Sequence, residues 1–125
     1  MADAENTRKA LQKEVETYRN LQAELQKLAK GKQELTARFT ETETVVEELK
    51  LLDDEANVFK AVGPVLVKQD LVEARSNVSN RLEFIKKDID RLDVQIKGVE
   101  SKMLDREKEM MKLQRKLQGG AAAGP

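Results

Sequence analysis

Apolar residues recur every three or four positions along nearly the whole chain, and this spacing constrains the fold more than any other feature. With Leu11 as position a of a heptad, the a and d positions run through Tyr18, Leu21, Leu25, Leu28, Leu35, Phe39, Val46 and Leu49. Only Glu14, Lys32 and Thr42 break the series. A period of 3.5 sustained over so many turns implies a left-handed supercoil with a partner helix. The spacing predicts a helix over 8–52, after a polar, frayed start at 1–7. Gly31 weakens that helix by about 1 kcal/mol relative to Ala without ending it.

A second series begins at Leu71 and runs to Leu117, with Arg75 and Arg106 as its polar breaks. Asp70 followed by Glu73 fits a loose capping box, in which the carboxylate accepts from the orphan N–H groups of the first turn. The predicted second helix covers 70–118, and the sequence GGAAAGP at 119–125 reads as a disordered tail. Helices of roughly 65 and 70 Å, joined by a short connection, fold back antiparallel on each other. Layer pairing then sets Leu25 opposite either Leu92 or Val99, and the pattern leaves both registers open. In either, the second helix is expected to overhang the first, leaving Leu113 and Leu117 exposed.

Between the helices lies NVFKAVGPVLVKQ, residues 57–69. Carboxylates at Asp53, Asp54 and Glu55 oppose the dipole at the end of the first helix. β-Branched residues around Gly63-Pro64 then read as a hairpin. Val58 and Val62 share one face of its first strand, and Phe59 takes the other. Val65 and Val67 share a face of the second strand, with Leu66 opposite. A lone two-stranded hairpin is marginal in water. This one has two apolar faces, two open edges, and helices that leave it in the same direction. Its strands are therefore expected to pair with strands of other chains, since unpaired edges are sticky and closure into a barrel removes them. The competing reading is a hairpin that only connects its own helices, making the chain a structural coiled-coil tether.

Composition narrows the chemistry. Aromatics are 3% of the residues, too few for an ordinary globular core, and charged residues are 37%. The 23 basic and 23 acidic residues balance, so neither a membrane surface nor a phosphate backbone is favoured as a partner. The short basic patches at 29–32 and 85–88 read as solvated surface rather than a nucleic-acid grip. The chain has no Cys and no His. That removes disulfides, the commonest zinc ligands and the commonest general base. The lack of Cys also suits the cytosol. No apolar run reaches the roughly 18 residues of a membrane span. Gly63-Pro64 lacks the repeated glycines of a phosphate loop. No catalytic, metal or cofactor site is expected.

The string VFKAVGPVLVKQ (Val58 to Gln69) between two heptad helices resembles the β-type subunits of prefoldin, and the resemblance covers essentially the whole chain. It implies a heterohexamer of two α-type and four β-type subunits, whose hairpins build a double β-barrel. Val58, Phe59, Val62, Gly63, Pro64, Val65, Leu66 and Val67 would make the subunit contacts. It further implies a cytoplasmic, ATP-independent holdase that captures unfolded proteins of the actin and tubulin class and passes them to the cytosolic chaperonin. Client contacts would lie at the free ends of the coiled coil. There the sequence places Leu11, Val15, Leu104, Met110, Met111, Leu113 and Leu117. Methionine side chains are unbranched and polarisable, and a surface rich in them adapts to many shapes. Met103 is expected to fill the seam, Arg75 and Arg106 to extend their guanidinium groups to water, and Glu14, Lys32 and Thr42 to fix register.

Overall fold

The computed structural model describes residues 2–122. Helix α1 spans Ala2–Leu51, strands β1 and β2 span Val58–Val62 and Val65–Gln69, and helix α2 spans Leu71–Ala122. The chain divides into two compact units. A hairpin unit, Gly31–Leu92, carries both strands, and a terminal unit pairs Met1–Lys30 with Asp93–Pro125.

Both helices are longer than the heptads alone suggested. Residues 2–7, expected to fray, are the first turns of α1. Asp3 and Glu5 lie in the first turn, where carboxylates complement the helix dipole. Thr7 is only 5% exposed, and its hydroxyl donates to the Asp3 carbonyl at 2.7 Å. Thr7 continues the seam one step upstream of Leu11, as a d position. At the other end α2 passes through Gly119 and Gly120 to Ala122. Each glycine costs about 1 kcal/mol in a helix. Propagation from an established helix is cheap compared with nucleation, and the alanines beyond are the best helix formers. Met1 and the last three residues of the expected tail lie outside the described residues.

The register left open by the sequence is the one that sets Leu25 opposite Val99. In the hairpin unit, the Arg75 Nε donates to the carbonyl of Leu49, its partner in that register. A methyl group placed on Gly31 would lie 3.8 Å from the Leu92 Cδ1. In the terminal unit, the Tyr18 hydroxyl reaches Glu107, one residue beyond its layer partner Arg106. This register places Leu113 opposite Leu11 and Leu117 opposite Thr7. Because α1 starts at Ala2, no overhang is left. Leu113 and Leu117 are half-buried, not exposed as expected. Most other seam side chains are half-buried too, because two helices alone enclose only a thin core. Among the described residues, the buried apolar ones are Val46, Leu71 and Ala74 in the hairpin unit and Val99 in the terminal unit.

Arg75 does more than extend to water. Its Nη2 donates to the Leu52 carbonyl at 2.7 Å and its Nε to the Leu49 carbonyl at 2.9 Å. These carbonyls lie at the end of α1, where the helix leaves acceptors short of donors; that of Leu49 otherwise accepts from the Leu52 N–H at a long 3.4 Å. A cation there also complements the dipole. Its contact with Asp54, at 3.6 Å to a carboxylate that is 97% exposed, adds little. Asp53 has a local structural task as well: its carboxylate accepts from the Glu55 N–H, and its carbonyl from the Ala56 N–H. Asp70 caps α2 as expected, its carbonyl accepting from the Ala74 N–H at 2.9 Å and its carboxylate from the Glu73 N–H at 3.3 Å. Arg75→Met keeps the packed stem but strips α1 of both charge-assisted hydrogen bonds. It is expected to cost about 1–3 kcal/mol, read as a lower urea midpoint at unchanged slope.

Candidate functional site

Two surfaces stand out, one in each unit. The first is the hairpin. Gly63 has a φ of +59° and precedes Pro64, whose ring holds φ negative. That sign pattern is that of a type II′ turn, which matches the twist of paired strands and favours Gly at its first position. The register pairs Val62 with Val65, Ala61 with Leu66, Lys60 with Val67, Phe59 with Lys68 and Val58 with Gln69.

Directly paired residues share a face. One face therefore carries Val58, Val62, Val65 and Val67 around Lys60 and Gln69. The other carries Phe59, Ala61 and Leu66 with Lys68. Phe59, Val62, Val65, Leu66 and Val67 are between 49% and 68% exposed, and Val58 is half-buried. The sheet has only two strands, so the outer edge of each is unpaired. In a hairpin with a two-residue turn, the pair flanking the turn exchanges both hydrogen bonds, and the pattern alternates from there. The outward-pointing amides are then those of Phe59 and Ala61 on β1, and of Leu66 and Lys68 on β2. The residues expected to make subunit contacts thus expose apolar groups on both faces of a sheet bounded by two open edges.

The second surface lies in the terminal unit. Leu104 and Met111 occupy equivalent b positions two turns apart on α2, and are 52% and 53% exposed. Two concave depressions adjoin them. One, of about 310 Å³, is lined by Leu11, Val15, Glu107, Met110, Met111 and Gln114. The other, of about 500 Å³, is lined by Leu25, Glu100, Ser101, Met103, Leu104 and Glu107. The structure thus brings together Leu11, Val15, Met110 and Met111, and places Leu104 beside them. Leu113 and Leu117 line neither depression and belong to the seam. Met103 is half-buried in the seam as expected, and it also lines the second depression.

The sequence reading missed the polar groups of this unit. Arg106 does not simply extend to water. Its Nη1 lies 2.9 and 3.0 Å from the two carboxylate oxygens of Glu14, so two polar breaks of the seam satisfy each other. Glu107, which lines both depressions, accepts from the Tyr18 hydroxyl at 2.7 Å. Heptad positions could have found Glu107, since an e position flanks the seam and faces the opposing helix. The Tyr18 hydrogen bond spans 89 residues and becomes visible only once the register is known.

That bond raises the Tyr18 pKa above the ordinary phenol value of 10.0. The hydrogen bond to Glu107 contributes most, followed by desolvation and the repulsion of a tyrosinate by the same carboxylate. A raised pKa means that the folded state holds the phenolic proton more tightly. Its stabilisation is complete below the ordinary value and is lost as the pH rises through the folded one. The chain has a single tyrosine, so tyrosinate absorbance reports this site alone. Titration of the isolated chain is expected to come above the ordinary range, and Glu107→Gln to bring it back down.

Among the described residues, no cluster of three or more acidic side chains is arranged to hold a metal ion. No helix there is long and apolar enough to cross a membrane.

Comparison with known proteins reaches nearly the whole chain. The prefoldin subunit family matches residues 12–117. Prefoldin subunit 6 of Bos taurus is 44% identical over 120 residues, which cover 96% of this chain and 93% of that protein. Prefoldin subunit 6 of Arabidopsis thaliana is 40% identical over 117 residues, covering 90% of this chain and 91% of the relative. The crystal structure of the prefoldin beta subunit from Thermococcus strain KS-1 superposes with a TM-score of 0.79. It covers 82% of this chain and 90% of its own, at 23% identity, and so shares the fold.

Proposed function

The chain belongs to the prefoldin subunit family, and from that premise we propose that it is a β-type subunit of a cytoplasmic heterohexamer that holds unfolded proteins without ATP. The observation that carries this reading is the hairpin, a two-stranded sheet with apolar residues exposed on both faces and an unpaired edge on each strand. Such a surface is a liability for a solitary chain, and a docking device for one that is always assembled. In this reading, the strands join those of neighbouring α- and β-type subunits in barrels. The paired helices of each subunit make up its coiled-coil arm.

The terminal unit of the arm supplies the client surface. Leu104 and Met111, with the depressions beside them, offer apolar contacts without a closed pocket. Each exposed side chain contributes about 1–2 kcal/mol when covered. One arm is therefore a weak binder, and several arms around one client give useful avidity. Weak, adaptable, multivalent contact suits actin- or tubulin-class chains that lack fixed structure, and allows their release to the cytosolic chaperonin. The subunit itself performs no catalysis.

Native mass spectrometry of the chain purified from its host tests the assembly. The expected species is a hexamer that contains other prefoldin subunits of both types. A monomer, or an oligomer of this chain alone, would overturn the reading.

A further inference from the structure

The two depressions of the terminal unit share a feature that apolar capture does not require. Both are lined by Glu107, and the only other ionisable group among their lining residues is Glu100. The remaining lining is apolar or neutral. A carboxylate at the meeting point of two apolar hollows disfavours covering by purely apolar client, because its hydration would be lost. It favours a client that brings a cation to the same place. The carboxylate is also held in position: the Tyr18 hydroxyl engages one of its oxygens at 2.7 Å, which leaves the other free to accept. The neighbouring hollow on the α1 side is edged by both signs, Arg8 and Arg19 with Glu16, so a lining whose only charges are acidic belongs to the α2 flank and not to the whole unit.

We infer that this flank selects, among unfolded segments, those in which Lys or Arg stands between two apolar residues. The apolar side chains occupy the two hollows and the cation meets Glu107. Leu104 and Met111 lie seven residues apart, about 10 Å along the helix, and Glu107 falls between them. The inference rests on the tip being a client surface, and adds which client sequences it prefers.

The test uses the assembled complex containing the full-length chain and three photo-crosslinking peptides. In these, two leucines flank a lysine, a glutamine or a glutamate. Crosslinks to residues 100–114 of this chain are counted by mass spectrometry, which separates this subunit from its neighbours. The expected order is lysine, then glutamine, then glutamate, with about a threefold to fivefold preference for lysine over glutamine, as befits an exposed ion pair. Glu107→Gln keeps an acceptor for Tyr18 and is expected to make lysine and glutamine equal. Equal labelling by all three peptides in the unaltered complex would overturn the inference and leave the tip reading standing. So would a lysine preference that survives Glu107→Gln. No labelling of this segment by any peptide would overturn both.

Discussion

Replacing Phe59 and Leu66 together by Ser is expected to abolish incorporation of this chain into its complex while leaving its helices in place. Both residues lie on the same face of the hairpin, separated by Ala61 in the strand alternation, and both are more than half exposed in the single chain. Covering each by a neighbour contributes about 1.5–3 kcal/mol. Serine forfeits that and adds a hydroxyl that needs a partner. The combined loss of several kcal/mol corresponds to a weakening of about 100-fold or more in association. Both residues lie in the strands and outside the helical repeat, so far-UV circular dichroism should stay within the error of the unaltered chain. Light scattering after size exclusion reads the association state. An unchanged complex would mean that the hairpin is a plain connector, as in the tether alternative.

The second large effect is expected at the other unit. Leu104→Ser with Met111→Ser removes the two half-exposed apolar side chains that border the depressions and leaves the seam untouched. At about 1–2 kcal/mol each, their loss should raise by about tenfold the concentration of complex that halves the aggregation of a chemically unfolded client, because the arms act together. Assembly should be unaffected. Undiminished protection would show that the client contacts lie elsewhere. Point changes are a cleaner test than truncating α2, because Leu113 and Leu117 pack in the seam opposite Leu11 and Thr7. A truncation would unravel the start of α1 as well as remove the candidate surface.

The same distinction shows how far the sequence could be read. The two helices and the hairpin were legible because each is a local pattern: a 3.5-residue repeat from Leu11 to Leu49 and from Leu71 to Leu117, and a Val-rich run around Gly63-Pro64. The division of Phe59 and Leu66 to one face and Val65 and Val67 to the other followed from strand alternation alone. What escaped depends on pairs far apart in sequence. Arg75, Arg106 and Glu14 looked like isolated faults in a repeat. They proved to be an end cap for α1 and an ion pair across the seam, neither of which could be assigned before the register was known. Residues 2–7 looked frayed because they carry few apolar groups. Yet Thr7, a small side chain that satisfies its own hydroxyl, fills the seam position there. The exposure predicted for Leu113 and Leu117 failed for that reason.

The central claim is that the open hairpin edges are satisfied by neighbouring chains, and amide hydrogen exchange in the purified complex tests it most directly. The amides of Phe59, Ala61, Leu66 and Lys68 point away from the partner strand of the same hairpin, so nothing within this two-stranded sheet protects them. In the complex they are expected to exchange about 100-fold or more slowly than in an unstructured peptide, because strands of other subunits accept their hydrogen bonds. Exchange at unprotected rates from all four, in a complex shown to be intact, would contradict the account.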